Sequence, residues 1–298
     1  MRVLIAGCGY VGSALACRLV DGGHTVYGLR RNVAALPPGV LGVAADLSDP
    51  ETLVGLPAVD ALVYAAAADG RTRESYETAY VRGLENVLLA LDGSTLLRSV
   101  LTSSTAVYSQ EDGSTVDEES PTEPTGFSGE LLLQSERLFR ERLGARGVVL
   151  RLAGIYGPSR TRLVRTVADG SAAAPEPRFT NRIHLADCAG ALAHLLSLEA
   201  PEPVYVGVDH DPAELGDVMA FIAAHIGVPW PPAPAPVAAP SADRARVTRR
   251  AEGNNKRCSN ARLLRSGYRF EVPTFREGYP AICDEFLAER AASLRGDS

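Results

Sequence analysis

The string Gly7-Cys8-Gly9-Tyr10-Val11-Gly12 constrains this chain more than any other feature. It follows Val3–Ala6, an apolar run that reads as a strand. It opens Val11–Val20, a helical stretch with Val11, Leu15 and Leu19 on one face. A G-x-G-x-x-G string is weak alone and gains meaning in this strand–turn–helix setting. Gly7 permits the tight turn, Gly9 lets the backbone approach a pyrophosphate, and Gly12 lets helix and strand pack closely. The first helical residues, Tyr10 and Val11, stand where unpaired N–H groups and the positive end of the helix meet phosphate.

A dinucleotide carrying a free ribose diol calls for an acid after the second strand, about 20 residues beyond the glycines. Here that place reads Leu29-Arg30-Arg31-Asn32. No carboxylate is present, and Arg30 and Arg31 are suited to clamp a 2′-phosphate. The expected cofactor is therefore NADP(H) rather than NAD(H). Asp46, after the third strand, either faces the adenine or caps the helix that begins at Pro50. Ala65, Ala66 and Ala67 are small enough to let a cofactor pass over the end of the fourth strand.

Further strands are expected at Thr25–Leu29, Gly42–Ala45, Ala58–Ala67, Ser99–Ser103 and Val148–Ile155, with helices at Glu74–Leu91 and Ser128–Leu143. Strands separated by helices imply a doubly wound α/β fold with a parallel sheet. After Tyr156 the alternation loosens. Helices are expected at Arg160–Asp169 and His184–Leu198, a returning strand at Pro203–Asp209, an irregular loop at Pro229–Pro240, and two short helices at Asn260–Ser266 and Thr274–Ala292. Residues 1–155 with 182–209 read as the dinucleotide-binding part. Residues 156–181 with 210–298 read as the substrate-binding part.

Composition narrows the classes. The 298 residues carry a formal charge of −6 and no long basic block, which argues against a nucleic-acid binder. No apolar run approaches the ~18 residues needed to cross a bilayer, and Met1–Gly7 is too short for a signal-peptide core. The five cysteines are scattered, with no Cys-x-x-Cys, so neither a metal site nor a disulfide framework is expected and the chain reads as cytoplasmic. Lys256 is the single lysine; every other basic side chain of this type is arginine. Any mechanism that needs a lysine earlier in the chain is thereby excluded.

These pieces, together with Ser103-Ser104-Thr105-Ala106-Val107-Tyr108, Arg151-Leu152-Ala153-Gly154-Ile155-Tyr156-Gly157-Pro158 and Asn181-Arg182-Ile183-His184-Leu185-Ala186-Asp187, resemble the extended short-chain dehydrogenase/reductases. More narrowly, they are similar to the NAD(P)-dependent epimerase/dehydratase-like proteins, and Asn255–Ala261 resembles a C-terminal segment of that group. The resemblance implies a Rossmann domain and a smaller C-terminal substrate domain, with an oxidoreductase or epimerase reaction between them. That family works through a Ser/Thr at the end of the fifth strand and a Tyr-x-x-x-Lys on the next helix. Ser104 matches the first. At the other two positions stand Ser128 and Leu132, and no tyrosine lies between Tyr108 and Tyr156.

The family's phenol has its pKa lowered by the neighbouring ammonium; Ser128 lacks a base and Leu132 lacks charge. Three readings follow. Other groups, Ser104 and Tyr108 first, serve hydride transfer to an activated carbonyl or imine; or the cleft holds NADP(H) without turnover, as a sensor or scaffold; or a non-redox reaction uses the pocket. His184, Arg160, Arg162, Arg165 and Arg178 are further candidates for touching a substrate, the arginines an anionic one. Tyr76, Tyr80, Leu84, Leu88 and Leu91 form one apolar stripe and Leu132, Phe139 and Leu143 another. Since the family pairs these helices across a two-fold axis, a homodimer is expected. The partner set is thus a small-molecule substrate and a second copy, with no nucleic acid and no membrane.

Overall fold

A computed structural model describes residues 1–91, 96–171, 176–231 and 255–296. Seven strands form one parallel sheet: β1 (Arg2–Ala6), β2 (Thr25–Arg30), β3 (Leu41–Ala44), β4 (Ala61–Tyr64), β5 (Arg98–Ser104), β7 (Gly147–Leu152) and β11 (Val204–Gly207). Their order is β11-β7-β5-β4-β1-β2-β3. Val3, Leu4, Ile5 and Ala6 are fully buried, as a strand covered on both faces requires. Chain order reverses between β1 and β4, so a crevice opens beyond the carboxyl ends of these strands, where such sheets bind ligands.

Helix α1 (Tyr10–Asp21) packs Leu15, Ala16 and Leu19 onto one face of the sheet, against α6 (Leu185–Ser197). On the other face lie α3 (Gly83–Ala90) and α4 (Phe127–Leu143), whose Leu84, Val87, Phe139 and Leu143 join one core cluster. Most of the two apolar stripes is therefore consumed within the fold: Leu84 and Phe139 are 0% exposed and Leu132 is 5%, while Tyr76, Tyr80 and Leu88 stay half-buried. The buried members of these stripes are covered by the chain itself and offer no surface to a second copy. Periodicity showed that a face was apolar; it did not show what covers it.

The expected Glu74–Leu91 helix is three pieces: α2 (Arg73–Tyr76), a π-helical turn over Glu77–Arg82, and α3. The expected strand Val148–Ile155 ends at Leu152. Ala153 N still bonds Gly207 O, but Gly154 N turns to Asn181 O, and β8 (Gly154–Tyr156) leaves to pair with β10 (Arg182–His184). Asp49 caps the short 3₁₀ turn Pro50–Leu53, and Asp46 does not. The last helix is not short, running from Phe275 to Gly296. Most of the Pro229–Pro240 loop lies outside the described residues.

A separate apolar cluster follows the sheet. It joins α5 (Arg162–Ala168), α7 (Leu215–Ile226) and the last helix (Phe275–Gly296) through Val164, Val167, Ile222, Phe275, Ile282 and Phe286. One long-range pairing closes the cleft wall: β13 (Arg257–Cys258) lies parallel to β6 (Thr115–Val116). Among the described residues no helix is long and apolar enough to cross a membrane.

Candidate active site

The crevice at the strand ends is a cleft of about 1950 Å³, lined by the glycine turn, the ends of β2 to β5, the π turn, the start of α4 and the segments after β7. Its floor explains the glycines. A Cβ on Gly7 (φ +85°) would lie 2.5 Å from the backbone of Ala66, and one on Gly12 would lie 2.8 Å from Gly7 O. Gly7 N and Cys8 N both donate to Leu29 O, at 3.1 and 3.0 Å, which ties the turn to β2. A Cβ on Gly9, by contrast, would meet only Gly7 O, at 3.9 Å, and α1 has no side-chain cap. An open cradle at an uncapped helix start is what a pyrophosphate needs, and the residues fit the group. Tyr10 and Val11 line the same wall; the Tyr10 hydroxyl donates to Pro158 O at 2.6 Å, and the Arg160 guanidinium sits 4.2 Å over its ring.

At the β2 end, Arg30 is half-buried and donates to Cys8 O at 3.2 Å, while exposed Arg31 pairs with Asp69 at 2.9 Å. The Asp46 carboxylate accepts from the Ser48 N–H at 2.9 Å and from the Ser48 hydroxyl at 2.7 Å, which hold its pKa below the usual range. Arg30, Arg31, Asp46, Ala65, Ala66 and Ala67 all line the cleft. Ala65 continues the β4 ladder by donating to Ala6 O, so the alanines sit directly above the central strand.

Ser104, Tyr108, Ser128 and Leu132 line the cleft together. The Ser104 hydroxyl accepts from Ala106 N at 3.2 Å. Tyr108 is another matter. Its ring is 2% exposed, its hydroxyl accepts from Arg151 at 2.8 Å, and burial pushes the phenol up to about 12, with Arg151 pulling partly back. Arg151 in turn grips Glu136 at 2.7 Å, and the Ser103 hydroxyl donates to the same carboxylate at 2.6 Å. The expectation that Tyr108 gives up a proton meets a phenol already built into a buried charged network. His184 is likewise occupied: its Nδ1 caps α6 by accepting from Ala186 N at 3.3 Å, and burial lowers its pKa. It bonds the helix start rather than Asp187, whose carboxylate holds Tyr268, Glu271 N and Val272 N.

Sequence reasoning missed two groups. Lys256, set aside for its place in the chain, lines the cleft, and its Nζ donates to Tyr108 O at 2.9 Å. Asn181 puts it there: its Nδ2 donates to Lys256 O at 2.9 Å and its Oδ1 accepts from Cys258 N at 2.8 Å. Tyr76 and Tyr80, read as core stripe, face the cleft from the π turn and its flank. Beyond β7 the lining includes Arg160, Arg162, Arg165, Arg182 and Lys256 and, among the described residues, no carboxylate.

A parallel sheet with a glycine turn, an uncapped helix and an open crevice at the chain reversal defines a dinucleotide-binding protein of the Rossmann type. The chain belongs to the NAD dependent epimerase/dehydratase family, whose model matches residues 3–196. It is similar to an NAD-dependent epimerase/dehydratase structure from Methylobacillus flagellatus, at 35% identity and a TM-score of 0.79, covering 96% of this chain and 98% of that one. It is 30% identical to Protein YeeZ of Escherichia coli (strain K12) over 67% of this chain and 74% of that protein. It is 26% identical to the 2-alkyl-3-oxoalkanoate reductase of Stenotrophomonas maltophilia (strain K279a), over 77% of each.

Proposed function

We propose that this protein is an NADP(H)-dependent oxidoreductase acting on a carbonyl or imine carbon of a small anionic molecule. The observation that carries the substrate reading is the lining beyond β7, where the described residues bring buried Arg182 and Lys256 and exposed Arg160, Arg162 and Arg165 to one wall, since such cations draw carboxylate and phosphate by charge-assisted bonds. The cofactor reading rests on Arg30 and Arg31 where a carboxylate would bind a ribose diol. When bound, NADP(H) supplies or takes a hydride at its nicotinamide. The chain's residues do the rest: Gly7, Gly9 and the start of α1 hold the pyrophosphate, Ala65–Ala67 leave room above the sheet, and Ser104 offers a hydroxyl at the reacting end. The division into a dinucleotide part (1–155, 182–209) and a substrate part (156–181, 210–298) belongs to this reading, as does a cytoplasmic place of action. Similarity to a reductase supports the oxidoreductase class.

The test has two stages. Fluorescence titration should show NADPH binding at least ~10-fold tighter than NADH, the size of one charge-assisted phosphate contact. Carbonyl compounds bearing a carboxylate should then oxidise NADPH with a kcat/KM at least ~10-fold above their amides. A silent NADP(H) sensor is the second reading, favoured by Ser128 and Leu132 at the cleft wall. It predicts tight NADPH binding and no turnover of any acceptor.

A further inference from the structure

The cleft contains a phenol that owes its place to a deformation of the backbone. Between α2 and α3 the helix widens: Gly83 N reaches back to Thr78 O, five residues away, in place of the usual four. The widening is secured from below. The buried Tyr64 hydroxyl donates to Ala79 O, and a Cβ on Gly83 would lie 2.8 Å from that hydroxyl and 3.0 Å from Thr78 O. Only glycine fits there. A π turn is disfavoured and persists where the surroundings over-determine it, often beside a functional site.

This turn displays Tyr80. The side chain is half-buried, lines the cleft, and packs against the apolar cluster that includes Leu132, Val107 and Ala153. Burial raises its pKa, and the Ala68 N–H, beside the alanines at the end of β4, pulls it partly back. Tyr76 braces the ring from one side at 5.3 Å between centroids. The phenol thus runs from the face of α4 where Ser128 and Leu132 stand to the strand end expected to lie under the cofactor. Tyr108, by comparison, has its hydroxyl committed to Arg151.

We propose that Tyr80 is the proton-transferring phenol of this cleft, delivered by the π turn of a neighbouring helix to the space left by Ser128 and Leu132. The inference rests on the oxidoreductase reading above. In the reductive direction the Tyr80 O–H bond breaks while a new O–H bond forms on the substrate oxygen, which has taken the carbonyl π pair. Water in the cleft returns the proton to the phenolate. Burial disfavours that phenolate, whereas the Ala68 amide stabilises it, an arrangement that holds the proton until a negative oxygen develops nearby.

The experiment uses the full chain and the variant Tyr80→Phe, which keeps the ring and its packing. NADPH affinity is measured first by fluorescence. Oxidation of NADPH is then followed with 9,10-phenanthrenequinone, an activated dicarbonyl. The expected result is an affinity within twofold of the parent and a kcat lower by ~10²-fold, with KM little changed. A second measurement needs no turnover. In protein carrying 3-fluorotyrosine, the Tyr80 resonance, identified by its loss in Tyr80→Phe, is titrated with and without NADP⁺. The positive nicotinamide ring should lower its midpoint, and NADPH should not. A midpoint indifferent to bound NADP⁺, a parental kcat in Tyr80→Phe, or a larger kcat loss in Tyr108→Phe overturns the proposal. Failure of either cofactor to bind overturns the oxidoreductase reading itself, a separate and recognisable result.

Discussion

Replacing Arg30 by alanine tests the cofactor reading most sharply, because the structure gives Arg30 two possible employments. Its guanidinium is half-buried at the mouth of the adenosine end and bonds Cys8 O at 3.2 Å. A charge-assisted bond from such a group to a 2′-phosphate contributes about 1.5–3 kcal/mol, or roughly 10- to 150-fold in affinity. Arg31 contributes less. It is exposed and already paired with Asp69, so its share is that of a surface ion pair, at most ~1 kcal/mol or about fivefold. Arg30→Ala should therefore weaken NADPH by 10- to 150-fold and leave NADH within about twofold, while Arg31→Ala weakens NADPH only a few-fold. Asp69→Asn releases Arg31 and should tighten NADPH slightly. Calorimetric titration at two salt concentrations reads all of these, and the NADPH preference should shrink as salt rises. If Arg30→Ala weakens NADPH and NADH equally, its bond to Cys8 O is its function, it supports the glycine turn, and the phosphate clamp does not exist.

Three other outcomes follow from the same geometry. Leu84→Glu places a charge at a fully buried site and should lower stability by roughly 3 kcal/mol or more, seen as loss of the folded baseline in urea melts; light scattering should show unfolding or aggregation and not a folded, dissociated monomer. Tyr108→Phe leaves a buried guanidinium N–H of Arg151 without its acceptor and should cost about 1–3 kcal/mol in thermal or urea denaturation; an unchanged melt would mean the network does not support the fold. The Asp209 carboxyl, 1% exposed, is pushed by burial up to about 7, only partly offset by Arg182. A raised folded-state pKa makes its contribution fully present below the unfolded value of ~4 and lost as pH rises through about 7. Urea stability should therefore drop between pH 5 and pH 8, and Asp209→Asn, which keeps the acceptor for Asp211 N, should reduce that drop.

The glycine turn was legible because its causes are local: Gly7, Gly12 and Ala66 meet within one strand–turn–helix unit and its neighbour. The sheet was legible for a similar reason, since each strand is a short buried run between helices. Tyr80 was not. Its spacing from Tyr76, Leu84 and Leu88 fits an ordinary helix stripe, and what turns it to the cleft is a hydroxyl on β4 and the one glycine that tolerates it. For Tyr108 the place at a strand end was legible but the partner of its hydroxyl was not, since Arg151 lies 43 residues further on and Glu136, which Arg151 grips, 15 residues before that arginine. Lys256 was dismissed by distance along the chain, whereas its Nζ ends on a carbonyl 148 residues away.

That last contact has a consequence for how the protein is born. The strand of the sheet nearest the C-terminus ends at Gly207, whereas β13, which pairs with β6 and carries Lys256 to Tyr108, begins only at Arg257. A ribosome working from the N-terminus can thus release the whole sheet, and with it the glycine turn, well before the far wall exists. Closing a loop of that length costs little more than closing one half as long, but the wait leaves β6 and the side chain of Asn181 facing water until the late segment arrives. A nascent chain halted short of residue 255 would display the dinucleotide-binding architecture without the wall that Lys256 and β13 add to the cleft.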